Sequence, residues 1–385
     1  MAAGSTTVVL GGGTGGLVLA QRLRRRLPSD HRVILVDRST EHHFAPSFLW
    51  VVMGQREPRR IIGDLRAVST RGVELILAEV QRIDPAARRV ETSTGPLPYD
   101  HLVIALGAAL NPAGIPGFPQ SAEQFYDLKS AVRLRDRLAQ FGGGKILILI
   151  ARTPFRCPAA PYEAALLLED RFRRHPPAQP TKIDIYTPEP LPMPVAGPVL
   201  GRAVVDLLTQ RGIGFHPQHK VTAIDPGGKR VRFEDGSEAS YDLLIGIPPH
   251  EAPAAAKLSG LTNESGYIPV DPHTLQTAHP DVYALGDIAA IKLPSGMMLP
   301  KAGVFAHGQA EALARSLAAK IRGRGTPQVF DGRGYCFLEA GSGKAGFASG
   351  AFYASPVSAV KLRRPGRLWH WGKILFEWYW LWKWF

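Results

Sequence analysis

The chain has 385 residues, 45% of them apolar and 21% charged, a balance that excludes a disordered, collagen-like or multi-span membrane protein. Lys and Arg outnumber Asp and Glu by 46 to 33, so the surface favours anionic partners: small anions, acidic lipid headgroups or nucleic acid. Two cysteines, Cys157 and Cys336, are too few for a zinc ribbon, an iron–sulfur pattern or a disulfide scaffold, and no metal site is expected.

Residues 6–10 read as a short buried strand. Gly11-Gly12-Gly13-Thr14-Gly15-Gly16 then opens a helix to about residue 27, and a second strand over 32–36 ends on Asp37. This is the dinucleotide-binding βαβ fingerprint in its proper context. Its glycines let the backbone reach a pyrophosphate seated on the helix N-terminus, and Asp37 should accept ribose hydroxyls. No charged stretch precedes the first apolar run, so no signal peptide is expected.

Short strands at 73–78 and 89–92 suggest an antiparallel excursion. Residues 99–107 return a buried strand ending on Ala105-Leu106-Gly107. From about residue 111 a second α/β unit begins, with a helix near 128–140 and strands at 145–150, 182–187, 214–216, 220–224 and 243–247. Thr277 to Asp287 follows, then a long helix over 301–322 and a separate C-terminal piece. The expected fold class is α/β: two Rossmann-like three-layer domains, 1–110 with 265–330 and 111–264, plus a C-terminal region, 331–385. That region should end in an amphipathic membrane-associating helix.

Six of the seven tryptophans lie between Trp369 and Trp384, and the last twelve residues are apolar except for Glu377 and Lys383. A basic cluster precedes them: Lys361, Arg363, Arg364, Arg367 and Lys373. Twelve residues cannot cross a bilayer, which needs about 20. Tryptophan prefers the headgroup boundary, and Lys and Arg attract anionic lipid. Residues 361–385 therefore read as a monotopic anchor on the cytoplasmic side of the cell membrane, removable from Trp369 onward without unfolding the rest. The other reading is a segment docked on its own protein or on a second copy, so a homo-oligomer stays open. With no helix-turn-helix, RNA-binding aromatic motif or zinc site, no nucleic-acid partner is expected.

The Gly11–Gly16 fingerprint, Ala105-Leu106-Gly107 and the Thr277…Gly286-Asp287 motif resemble the FAD-binding set of the flavin disulfide reductase superfamily. The resemblance implies a cofactor site made of Gly11, Gly13, Thr14, Gly15, Gly16, Asp37, Arg38, Ala105, Gly107, Gly286, Asp287, Lys301, Ala302 and Gly303, with Asp287 on the flavin's ribitol chain. Where most members place a second glycine fingerprint for a nicotinamide cofactor, this chain has Ala151 to Glu163 with Pro154, Pro158 and Pro161. Proline prevents the close backbone approach a pyrophosphate needs, so NAD(P)H should not serve.

Cys157-Pro158, Pro300-Lys301-Ala302-Gly303 and Gly334-Tyr335-Cys336-Phe337-Leu338-Glu339 narrow the resemblance to sulfide:quinone oxidoreductases and the related flavocytochrome c sulfide dehydrogenase flavoproteins. It implies a redox-active Cys157–Cys336 pair beside FAD, hydrogen sulfide as donor and a quinone as acceptor. Hydrosulfide attacks a disulfide sulfur, leaving a persulfide and a thiolate. The third cysteine of many members is absent from residues 124–133, so FAD should be non-covalent. Cys157 is suited to thiolate chemistry by the helix start that follows it and by Arg152 and Arg156 nearby. Glu163 either shuttles protons near Cys157 or offsets the helix dipole. Lys301 is expected to stabilise charge on the reduced flavin or to steer quinone. The alternatives are a flavoprotein donating to cytochrome c and a flavin-binding redox sensor without turnover.

Overall fold

In the computed structural model, which describes residues 4–385, the apolar runs pair into two parallel five-stranded sheets built on one plan. The first runs Val282–Ala284, His101–Ile104, Thr6–Leu10, Arg32–Asp37, Glu74–Leu77, with every pairing parallel. Its strands are apolar on both faces because both are covered. Val9, Val33 and Leu35 pack towards the helix Thr14–Arg24. Val8, Leu10, Ile34 and Val36 pack towards Ile83 and Val90 of a three-stranded antiparallel sheet, Val80–Asp84, Arg89–Thr92 and Gly95–Pro98.

The second sheet runs Ala122–Glu123, Leu243–Ile247, Gly144–Ile150, Thr181–Tyr186, Gly214–His216. Ile146, Ile148 and Ile150 join the main core, which includes the helix Ala160–Arg174. Leu147 and Leu149 meet Val231 and Phe233 of a second antiparallel sheet, Val221–Asp225, Arg230–Phe233 and Glu238–Ser240. The strand expected at 73–78 is therefore misassigned by sequence. Glu74–Leu77 is the parallel edge of the first sheet, in register with Ile34 to Asp37, and the antiparallel excursion starts only at Val80.

The C-terminal region is an antiparallel sheet, Arg333–Glu339, Ala345–Ala351 and Ala359–Gly366, followed by the terminal helix Arg367–Trp384. That helix is inside out. Lys373, Glu377, Trp380 and Trp384 are buried, whereas Leu368, Trp371, Leu375, Trp378, Tyr379 and Trp382 are exposed at helical spacing. Glu377 accepts from Arg56 Nε at 2.8 Å and from the Ser47 hydroxyl, and Gln21 donates to the Trp384 carbonyl at 3.0 Å. Two expectations are corrected. Lys373 does not belong to a lipid-facing basic cluster, because an ion pair with Glu163 draws it inward. Nor does the segment from Trp369 onward stand apart from the rest, since Trp380 and Trp384 are part of the main core and Phe376 and Leu381 pack against it. Among the described residues, no helix is long and apolar enough to cross a membrane.

Candidate active site

Only Gly11, Gly12 and Gly13 separate the strand Thr6–Leu10 from the helix Thr14–Arg24. Gly11 has φ +98°, and a Cβ there would stand 2.5 Å from the Ala105 carbonyl oxygen; one on Gly16 would stand 1.9 Å from the Gly11 oxygen. Nothing but glycine closes this turn. A Cβ on Gly13 or Gly107 would meet nothing within 4 Å, so the backbone on that side lies open to a ligand. No side chain caps the helix at Gly13, which leaves its first amides free for an anion. The helix Gly303–Arg322, capped at Ala302, starts beside it, an ideal Cβ on Gly303 lying 3.7 Å from Thr14 Oγ1. Two helix N-termini thus meet at one place. Asp37 is held by the Gly12 amide at 2.6 Å and the Ser39 amide at 2.8 Å, as a ribose acceptor requires. Arg38, next to Asp37, is exposed. These residues fit a flavin dinucleotide.

Gly286 donates its amide to Gln309 Oε1 at 2.7 Å, turning Asp287 beside Lys301. Lys301 is buried; its ammonium donates to the Asp287 carbonyl at 2.5 Å and lies 3.3 Å from the Tyr267 ring centroid. Burial lowers its pKa to about 8, with Asp287 pulling the other way. Burial likewise lifts the Asp287 carboxyl, against Arg156 and Lys301. The Lys301 main chain forms a parallel bridge with Arg156, and its carbonyl accepts the Cys157 amide at 2.7 Å. Two distant loops are thereby joined through backbone.

Between the strand Gly144–Ile150 and the helix Ala160–Arg174 lie residues 151–159, a connection much longer than the first fingerprint's three glycines. No glycine turn exists there to cradle a second pyrophosphate. The loop instead presents Cys157, at φ +49°, just before the helix start. Cys336 arrives from the strand Arg333–Glu339, and the two thiols adjoin, the Cys336 thiol donating to the Phe337 carbonyl at 3.2 Å. The neighbouring Cys336 holds Cys157 below the usual thiol range against burial, and Cys157 together with burial pushes Cys336 well above it. Of the two, Cys157 is the more readily ionised, in keeping with its place before a helix.

Glu163 is buried behind the cysteines and pairs with Lys373 of the terminal helix. Burial raises the Glu163 carboxyl, with Lys373 opposing. The Lys373 ammonium is also held above its usual value; burial works against its charge, and Glu163 and Glu339 outweigh it. One ammonium thus serves two buried carboxylates, which makes the cluster proton-seeking. Sequence reasoning missed Lys373, Glu339 and His370 as site residues. Glu339 is buried and accepts from His370 Nδ1 at 2.9 Å. The available signal was a pair of charges, Lys373 and Glu377, one turn apart inside an apolar helix.

On the other side of the Cys336 strand, an open cleft of about 440 Å³ is lined by Tyr335, Phe337, Phe347, Leu368, Trp369, Gly372 and Phe376. Tyr335 and Phe337 flank Cys336 in sequence, so strand alternation sends their side chains to the opposite face. Phe347 and Trp369 stack with centroids 4.5 Å apart. The cleft opens beside the exposed tryptophan face, with Leu368 in both. Among the described residues no group of three or more His, Cys, Asp or Glu could hold a metal ion.

Comparison with known proteins agrees with this geometry. The mitochondrial sulfide:quinone oxidoreductase of Mus musculus is 26% identical over 368 residues, covering 91% of this chain and 79% of that protein. The sulfide-quinone reductase of Aquifex aeolicus is 27% identical, covering 98% and 90%. The solved structure of the sulfide:quinone oxidoreductase from Aquifex aeolicus superposes with a TM-score of 0.88 at 25% identity, covering 99% of this chain and 91% of that one. Residues 5–310 match the family model described as pyridine nucleotide-disulphide oxidoreductase, and the chain belongs to that family.

Proposed function

We propose that this protein oxidises hydrogen sulfide to zero-valent sulfur or polysulfide through a Cys157–Cys336 pair and passes the electrons through non-covalent FAD to a quinone. The observation that carries the reading is the meeting of two cysteines, one from a loop and one from a distant strand, the first bonded through its main chain to the Lys301 loop and the second backed by an aromatic cleft. In the oxidised pair, hydrosulfide attacks one sulfur and breaks the S–S bond; the released sulfur leaves as a thiolate. Cys157, with its depressed pKa, is the sulfur suited to that role. Bound flavin supplies two-electron transfer between thiolate and quinone. Glu163 stands near enough to take the persulfide proton, and Lys301 places positive charge beside Asp287. In this reading 1–110 with 265–330 hold the flavin, and 111–264 carry Cys157 where a nicotinamide site would otherwise lie.

The flat aromatic cleft suits a quinone ring, and its mouth suits a lipid-borne substrate. The exposed face of the terminal helix would lie in the headgroup region, with Arg363, Arg364 and Arg367 exposed beside it for anionic lipid. The deciding experiment is anaerobic titration of the purified protein with sulfide while the flavin spectrum is watched, followed by a quinone. Bleaching by sulfide and recovery with quinone is the expected result. A flavin that sulfide leaves oxidised refutes the reading, and acid precipitation that retains the flavin in the pellet refutes non-covalent binding.

A further inference from the structure

The proton balance of the proposed reaction leaves one proton to be found. Hydrosulfide gives up an electron pair and one proton as its sulfur becomes zero-valent, whereas a quinone taking up that pair needs two protons to become quinol. One proton per turnover must come from solvent, and the ionisable pair beside the half-buried cysteines is sealed from it. Glu163 and Lys373 lie deep, beside the cysteines, and their protons are not exchanged directly with water.

We propose that Glu339 and His370 form the proton inlet of this site, taking one proton from solvent at His370 and delivering it to the Lys373–Glu163 pair in each turnover. The inference rests on the functional reading above. Glu339 closes the strand that carries Cys336, and its carboxylate is a close electrostatic neighbour of both Glu163 and Lys373. Its own carboxylate, 1% exposed, accepts from His370 Nδ1 at 2.9 and 3.1 Å. His370 sits in the first turn of the terminal helix, next to the cleft residue Trp369 and one turn before Lys373, with its side chain 21% exposed. It is therefore the member of the cluster that reaches water.

The other charged or titratable groups around the pair are few. Lys373 and Glu163 lie on one side, Cys336 lies on the Glu339 strand, and Arg211 donates to the Ala340 carbonyl at 3.1 Å. Trp50 packs edge-on to His370 at 6.0 Å, and its ring meets Arg56 at 4.5 Å and the Lys373 ammonium at 4.7 Å. In the delivery step, a proton bound at His370 Nε2 lets the Nδ1 proton pass to Glu339. Protonated Glu339 gives it to the cluster as Lys373 yields one to the reduced quinone. The imidazole, left with its proton on Nε2, must turn over so that the N–H again faces Glu339 and the bare nitrogen faces water, where the next proton binds, and no charge accumulates.

A half-reaction separates this inference from the identity of the donor. Protein reduced anaerobically with dithionite is mixed with a short-chain quinone between pH 6 and 9, and flavin reoxidation and proton uptake by an indicator dye are followed in stopped flow. For His370→Ala, reoxidation and proton uptake should slow together by about tenfold at the alkaline end, less at pH 6, and imidazole should restore both. Glu339→Gln should slow them without imidazole rescue. Wild-type rates in both variants, or a loss equal at every pH and insensitive to imidazole, overturn the inlet and leave the pair a packing contact. If wild-type protein is not reoxidised by quinone at all, the functional reading fails first and this inference with it.

Discussion

Replacing Trp378 and Trp382 by serine tests the outward face of the terminal helix without touching its inward one. The two indoles are 64% and 66% exposed and stack on each other at 6.0 Å. Burying such rings removes roughly 150 Å² of each from water, given about 150–250 Å² for a whole aromatic side chain. At about 25 cal/mol per Å² this is about 4 kcal/mol per ring for complete burial, and about half of that at a headgroup interface where the N–H stays hydrated. The double variant should therefore lose about 4 kcal/mol of membrane affinity, on the order of a thousandfold in partitioning. Sedimentation with anionic liposomes measures it, with the melting temperature as control. Because neither side chain packs into the core, stability should shift by no more than about 0.5 kcal/mol. Trp380→Ser gives the converse: at 2% exposure it should cost about 3–5 kcal/mol of stability. Undiminished sedimentation of the double variant, or its unfolding, would refute the assignment of the two faces.

Cys157→Ser and Cys336→Ser should each abolish flavin bleaching by sulfide while the flavin absorbance itself persists, since the fingerprint lies elsewhere; wild-type bleaching in either would reduce the thiols to packing. Lys373→Met should destabilise the fold by about 3–5 kcal/mol, because it strands the Glu163 carboxylate in the interior. The loss should shrink as the pH falls, since a raised carboxyl pKa lets Glu163 protonate; denaturant titrations at pH 5 and pH 8 give the comparison. NADH and NADPH should not reduce the flavin at turnover speed, because residues 151–159 offer no glycine turn, and stopped-flow bleaching by either nucleotide would show the contrary. Deleting residues 369–385 should yield unfolded or flavin-free protein, as Trp380 Nε1 reaches His42 at 3.3 Å and His42 holds the Gly12 carbonyl at 3.0 Å.

Much of the first α/β unit was legible because its signals are local. A glycine turn flanked by a β-branched run and an amphipathic helix leaves few other folds for residues 6–37. The site was legible only where a motif carried it: Cys157, Cys336 and Lys301 through a family resemblance, and not through their spacing. Lys373 was misread because charge in an apolar tail has two physical outcomes, solvation or burial with a partner, and the partner Glu163 lies far away in sequence. Glu339 and His370 gave no local signal, since only the crossing of the Cys336 strand by the terminal helix brings them together. The strand at 73–78 was assigned to the wrong sheet for a similar reason: its alternation is shared by parallel and antiparallel edges, and its neighbour decides.

On the proposed membrane reading, the outward face of the terminal helix also bears on how the protein should behave away from lipid. In water, Leu368, Trp371, Leu375, Trp378, Tyr379 and Trp382 have no partner except the same face on another copy. Any association through it would be a property of the solvent as much as of the chain, and on that reading a mass measured in plain buffer would report the want of a bilayer. Mild detergent, by covering the helix, should bring the species to its intrinsic size, and quinone chemistry should be compared only among preparations in which that face is covered alike.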